Sequence, residues 1–110
     1  MGVVCKRRGP PMTTEIVIRH VLIRGRVQGV GFRAWVEDTA IDLGLRGWVR
    51  NRRDGTVEAV LAGDLETVLT MIEASRRGPP AARVDRLDVS KGGPELLGDA
   101  RPGFWVLPTA

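Results

Sequence analysis

The sequence is short of the residues that many small proteins use for crosslinks and metal sites: its 110 residues include one cysteine, one histidine and no tyrosine. The lone Cys5 has no partner within the chain, so we expect a fold without a disulfide, as is usual in a reducing cytoplasm. His20 offers a metal ion no second ligand of its kind, and we expect it to be packed or half-buried instead. No metal site is therefore expected.

Long apolar runs are also missing, since none approaches the ~18 residues of a membrane span. The basic opening MGVVCKRRGPPMTT lacks the apolar stretch of a secretory signal. We therefore expect a cytoplasmic protein with no membrane partner. Residues 1–14 are expected to form a flexible tail, in which Met12 is a second candidate start, and residues 15–110 to form one domain.

The net charge of +4 is concentrated at the start of the chain. Three of the 17 basic residues lie within 1–14, whereas all 13 acidic residues lie in 15–110, which leaves 14 basic against 13 acidic residues there. A nearly neutral domain is a poor general surface for polyanions. No specific nucleic acid partner is expected.

The first half of the chain carries a strand, a helix and a hairpin. Residues 15–24 are rich in β-branched residues and predict a strand. Its two faces would be Ile16, Ile18, His20 and Leu22 on one side and Val17, Arg19, Val21 and Ile23 on the other. From Phe32 the apolar residues recur at helical spacing until Gly44, which predicts a helix that ends there. Residues 46–62 predict a β-hairpin that reverses at Asp54-Gly55.

The second half predicts a helix and two strands. Asp64 is suited to cap a helix that Gly78-Pro79-Pro80 stops. The expected apolar stripe of that helix consists of Leu65, Val68, Leu69 and Ile72. Residues 82–89 predict a strand whose apolar phase slips between Val84 and Leu87, as at a bulge or with a late start of the strand. Residues 103–108 predict a short edge strand.

This order predicts an α+β fold, the ferredoxin-like βαββαβ sandwich. We expect a mostly antiparallel sheet of four strands plus a short fifth edge strand, with two helices on one face.

Residues 25–33, GRVQGVGFR, are the most informative stretch for function. The loop opens directly into a helix, whose first N–H groups have no partner within the helix, and Arg33 adds a planar cation that matches phosphate oxygens. This combination favours an anion site, although a glycine loop alone is a weak signal and a plain structural turn stays open.

GRVQGVGFR, together with LGLRGWVRN and DGTVE further along, closely resembles the two signatures of the acylphosphatase family. The resemblance runs from about Val21 to Val89. It implies a metal-independent acylphosphatase without a cofactor, which hydrolyses the carboxyl-phosphate bond of small acyl phosphates. It also implies that Arg33 binds the phosphate and that Asn51 positions the attacking water, so these two are the expected catalytic residues. The expected phosphate-binding residues are Gln28, Gly29, Val30, Gly31, Phe32 and Arg33.

A non-catalytic, ferredoxin-like binding module, for RNA or for regulation, is the alternative interpretation. RGWV resembles the start of an RNA-recognition motif, but the chain lacks the further sheet aromatics that stack bases. A regulatory or carbamoyl-phosphate-handling module of a larger assembly is a third possibility. We expect the hydrolase to act as a monomer.

Overall fold

The structure, a computed structural model, describes residues 15–98 and 102–110. The predicted tail, 1–14, lies outside the described residues, as does Cys5. The elements follow the predicted order, with a 3-10 helix before the final strand. They are β1 (Ile16–Arg26), α1 (Phe32–Asp42), β2 (Arg46–Asn51), β3 (Val57–Asp64), α2 (Leu65–Ser75), β4 (Arg83–Lys91), a 3-10 helix (Pro94–Leu97) and β5 (Phe104–Val106).

The five strands form one sheet in the order β4-β1-β3-β2-β5. The first four are antiparallel neighbours, and β5 adds to β2 in parallel. β1 and β2 are both antiparallel to β3, which lies between them, so they run in the same direction. The glycine loop after β1 and the end of β2 therefore lie at the same edge of the sheet, although the two strands are not neighbours. The predicted ferredoxin-like α+β fold is confirmed.

The core lies between the sheet and the two helices, which pack on one of its faces. Val21 and Ile23 of β1 and Val57, Ala59 and Leu61 of β3 are at most 2% exposed, as their alternation predicts. The helices cover them with buried apolar side chains from both α1 and α2. These are Phe32, Val36, Ala40, Val68, Met71 and Ile72.

The predicted apolar stripe of α2 is partly wrong. Leu65 and Leu69 are 43% and 50% exposed, whereas Met71 and Ser75 are buried. The helix has apolar residues on more than one face, and its packing against the sheet selects the stripe through Val68 and Met71. Helical spacing alone does not distinguish these two stripes, because both repeat at three or four residues.

The predicted irregularity in the fourth strand is confirmed. Arg24 of β1 pairs with Arg86, but the next residue, Gly25, pairs with Val84, which leaves Asp85 as an extra residue in β4. A side chain at Gly25 would overlap the carbonyl oxygen of Arg83. The bulge therefore requires glycine at the point where β1 leads into the loop.

No helix in residues 15–98 or 102–110 is long and apolar enough to span a bilayer.

Candidate active site

The glycine loop is held against the core by two valines. Val27 is buried and Val30 packs against the core, while Gly29 and Gly31 lie at φ +74° and +81°. A Cβ at either glycine would meet nothing within 4 Å, so the backbone conformation rather than space favours glycine there. The loop is therefore fixed on its inner side and open on its outer side.

The N-terminus of α1 adjoins this open side. Gly31 is the N-cap, and Trp35 N–H donates to its carbonyl oxygen at 3.0 Å. In the described structure no side chain caps this helix and no acidic residue lies in its first turn. The first N–H groups thus remain available, with the partial positive charge of a helix start.

Arg33 adds a full positive charge at the same place. The side chain is partly buried, and its guanidinium makes no hydrogen bond or ion pair with any other described residue. Arginine has five N–H donors and no acceptor, so a guanidinium without partners in 15–98 and 102–110 is suited to an external anion.

Asn51 approaches from the hairpin as the last residue of β2. It pairs with Val57 of β3, and its carbonyl oxygen accepts a hydrogen bond from Ala110 N–H at 3.0 Å. Its side-chain Oδ1 is buried and has no donor within the described residues. A buried acceptor of this kind is uncommon and calls for a ligand or a water molecule as its partner.

The turn that follows Asn51 in the chain is held by hydrogen bonds to Asp54. The Asp54 carboxylate accepts hydrogen bonds from the Thr56 hydroxyl at 2.6 Å and from the Thr56 backbone N–H at 3.0 Å, and Gly55 adopts φ +93°. These bonds hold the pKa of Asp54 below its usual value. The predicted Asp54-Gly55 turn is therefore confirmed.

A cavity of about 300 Å³ joins the loop to the hairpin. Of the seven sequence-predicted site residues in the loop and hairpin, those that line the cavity are Gly29, Gly31, Phe32, Arg33 and Asn51. Gln28 and Val30 do not line it: Val30 packs on the core, and the Gln28 side chain donates to the carbonyl oxygens of Arg52 and Thr56. Any contact of Gln28 with a phosphate would therefore have to use its backbone N–H.

Comparison with known proteins agrees with this geometry. The sequence model of the acylphosphatase family matches residues 19–96, a span that includes both motifs. The chain belongs to the acylphosphatase family.

Several relatives resemble most of the chain. The acylphosphatase of Rhodopseudomonas palustris strain BisB18 is 54% identical over 95 residues, which cover 84% of this chain and 96% of that protein. The structure of an acylphosphatase from Coxiella burnetii is 33% identical, with a TM-score of 0.77, and the match covers 87% of this chain and 100% of that one. HypF of T. kodakarensis is 33% identical, with a TM-score of 0.68 over 84% of this chain but only 12% of HypF.

Four further residues line the cavity of this acylphosphatase-family chain, and the sequence analysis did not predict them as site residues. They are Val27, Ala34, Glu37 and Val106. Glu37 could have been found, because it lies one helical turn after Arg33 on the same face of α1. Val106 could not, because the sequence gives no sign that β5 pairs in parallel with β2.

A charged cluster supports the hairpin on the sheet face opposite the helices. The Glu58 carboxylate, only 7% exposed, accepts hydrogen bonds from His20 Nε2 at 2.6 Å and from Arg50 Nε at 2.7 Å. Burial by itself would raise the pKa of Glu58, but these two hydrogen bonds and the charges of His20 and Arg50 together hold it below 4.5. Arg50 also stacks on Trp48, with its Cζ 4.8 Å from the ring centroid.

Metal ligands are not grouped in the part of the chain that the structure describes. There, no three side chains of histidine, cysteine, aspartate or glutamate come close enough together to hold an ion.

Proposed function

We propose that this protein hydrolyses the carboxyl-phosphate bond of small acyl phosphates and releases a carboxylate and inorganic phosphate. The observation that carries the proposal is the meeting of Arg33 and Asn51, from two separate motifs, in one cavity. Family membership adds to this support, because the relatives that match over most of their length are acylphosphatases.

In the proposed mechanism the phosphoryl group lies against the loop. The N–H groups at the start of α1 and the Arg33 guanidinium donate to its oxygens. Phosphoryl transfer spreads charge over these oxygens in the transition state, so fixed donors of this kind stabilise it more than they stabilise the ground state.

Asn51 holds the attacking water in this mechanism. Its buried Oδ1, which has no donor among the described side chains and backbone groups, accepts a hydrogen bond from the water. The water attacks phosphorus in line with the departing carboxylate, and its proton passes to a phosphate oxygen of the substrate. A carboxylate is a good leaving group, so no general acid is needed to protonate it.

Further parts of the proposal concern the chain as a whole. We propose that residues 15–110 form one catalytic domain that acts as a monomer in the cytoplasm, and that residues 1–14 are a tail dispensable for hydrolysis. The site is proposed to work without a metal or an organic cofactor.

A non-catalytic binding module is less well supported. An RNA-binding sheet needs exposed aromatic rings on which bases stack. The Arg50 guanidinium instead stacks on the Trp48 ring, and Trp48 Nε1 donates a hydrogen bond to the Leu96 carbonyl oxygen at 2.7 Å. The hydrolase is therefore the conclusion.

The decisive experiment measures phosphate release from acetyl phosphate and benzoyl phosphate with an excess of chelator. We expect the wild-type protein to turn over both substrates, and Arg33→Gln to lower kcat/KM by about 1,000-fold, as loss of an arginine that stabilises phosphoryl transfer does elsewhere. Arg77→Gln, an exposed arginine outside the cavity, is the matched control and should keep full activity.

Two results would contradict the proposal. If Arg33→Gln folds and retains wild-type turnover, the loop is not the phosphate site. If the chelator abolishes turnover and a divalent metal restores it, the cofactor-free mechanism is wrong.

A further inference from the structure

Gln28 lies in the glycine loop, but its side chain reaches across to the hairpin. Its amide nitrogen donates to the Arg52 carbonyl oxygen at 2.8 Å and to the Thr56 carbonyl oxygen at 2.9 Å. A carboxamide nitrogen has two N–H donors, and both are used here. One side chain thus bridges the two motifs of the site.

The two acceptors lie opposite each other at the base of the turn. Arg52 N–H donates to the Thr56 carbonyl oxygen at 2.9 Å, so the two residues close the neck of the hairpin, and Thr56 is buried. The Gln28 amide therefore holds both arms of the hairpin at once. Its contact with Arg52 is one residue away from Asn51.

No described group donates to Oδ1 of Asn51, and its backbone is held within the hairpin by pairing with Val57 and by the Ala110 N–H. Its position relative to Arg33 is set by how the hairpin sits against the loop. Strands β1 and β2 are not neighbours in the sheet, so they do not fix that position directly.

We propose that Gln28 is a positioning residue: it holds the hairpin that carries Asn51 at a fixed position relative to the phosphate-binding loop. The inference rests on the proposed function. Phosphate in the ground state needs only the loop and Arg33, whereas the transition state needs the loop and Asn51 at a fixed separation. Loss of the bridge should therefore affect kcat far more than phosphate binding.

The test replaces the amide with an apolar side chain of similar length, Gln28→Met. We expect kcat for benzoyl phosphate to fall about tenfold, the effect of losing one or two neutral hydrogen bonds. The inhibition constant for inorganic phosphate should change less than about threefold. The control variant Thr70→Val removes an exposed side chain to backbone hydrogen bond of α2 and should leave both values unchanged.

A double-mutant cycle with Asn51→Ala shows whether Gln28 acts through Asn51. In the Asn51→Ala background, Gln28→Met should lower kcat by less than about twofold, because the group that it positions is already gone. Full additivity of the two effects would overturn the proposal. A rise in the phosphate inhibition constant with unchanged kcat would also overturn it, because Gln28 would then act in phosphate binding.

Gln28→Asn serves if Gln28→Met does not fold, because it keeps the amide but is one methylene shorter, and it carries the same expectations. Failure of this inference is distinct from failure of the proposed function. Activity that depends on Arg33 but not on Gln28 refutes the bridge alone, whereas activity that is independent of Arg33 refutes the function and the bridge with it.

Discussion

The side chain of Asn51 has a buried oxygen that does not contribute to the stability of the fold, because no described group donates a hydrogen bond to it. A buried acceptor without a donor typically lowers the free energy of unfolding by about 1 to 3 kcal/mol relative to a satisfied one. Asn51 Oδ1 is in that position within the described structure, and Asn51 is one of the residues that line the cavity. Groups that are unfavourable for folding but face a cavity are typical of functional sites.

We expect Asn51→Ala to lower kcat for benzoyl phosphate by about 100-fold, because the water loses its fixed acceptor. The inhibition constant for phosphate should stay within about threefold of wild type. The free energy of unfolding should rise by up to about 1 to 3 kcal/mol, because a buried acceptor without a donor is removed and no hydrogen bond within the described protein is lost. Steady-state kinetics and urea unfolding measure the three quantities. A collapse of phosphate affinity would show that Asn51 binds phosphate rather than water.

At the residue scale, Arg33 was predictable as an anion ligand from the residues themselves, whereas the role of Asn51 was predicted only through the resemblance to the acylphosphatase family. Arg33 follows a glycine loop and Asn51 ends a hairpin strand, and both line the cavity. The hydrogen bonds of the Gln28 side chain to the hairpin were not predictable, because the two acceptors are 24 and 28 residues away in the chain. Such a contact exists only after the loop and the hairpin have met.

At the scale of the elements, local capping determines where α2 begins. The Asp64 carboxylate accepts hydrogen bonds from the backbone N–H of Thr67 at 2.9 Å and from its hydroxyl. These bonds lower the pKa of Asp64 below 3.8 and satisfy one of the open donors of the first turn. The cap was predictable because it needs only residues three positions apart.

We expect Asp64→Ala to lower the free energy of unfolding by about 1 kcal/mol at pH 7, which is the usual effect of removing an N-cap. Because α2 does not line the cavity, kcat/KM should be unchanged. Urea unfolding measures the first quantity, and Glu66→Ala, an exposed change in the same turn, is the control. Equal effects of the two variants would show that the cap contributes nothing of its own.

Other properties of the elements depend on partners that are distant in sequence. The buried stripe of α2 runs through Met71 and not through Leu69, because packing on the sheet selects one of two apolar stripes. The parallel addition of β5 to β2 likewise has no local signature. Element type and order were therefore predictable, whereas the buried face of α2 and the pairing of the edge strand β5 were not.

At the scale of the whole molecule, Glu58 connects three strands. It lies on the central strand β3 and bonds His20 of β1 and Arg50 of β2. Because its pKa is lower in the folded protein than the usual 4.5, its contribution to stability is complete above about pH 4.5. That contribution is lost as the pH falls through the lower, folded-state value.

We expect Glu58→Gln to lower the free energy of unfolding by about 1 to 3 kcal/mol at pH 7, because Arg50 and His20 lose a buried charged acceptor. Between pH 5 and pH 3 the variant should lose less stability than the wild type, although the lowered pKa values of Asp54 and Asp64 leave part of the slope in both proteins. Urea unfolding across this pH range measures the difference. Parallel curves would show that Glu58 is not the titrating group.

The central place of β3 has a consequence for how the protein acquires its function. The loop follows β1 and Asn51 ends β2, but these strands are joined only through β3. The pairing of β1 with β3 brings Ile16 opposite Asp64, and its pairing with β4 brings Arg19 opposite Lys91, so the sheet is built from contacts that are remote along the chain. Such topologies assemble slowly compared with helices and hairpins. Return of hydrolysis during refolding therefore reports the closing of the sheet, and a chain that has formed only its helices and its turn is still inert.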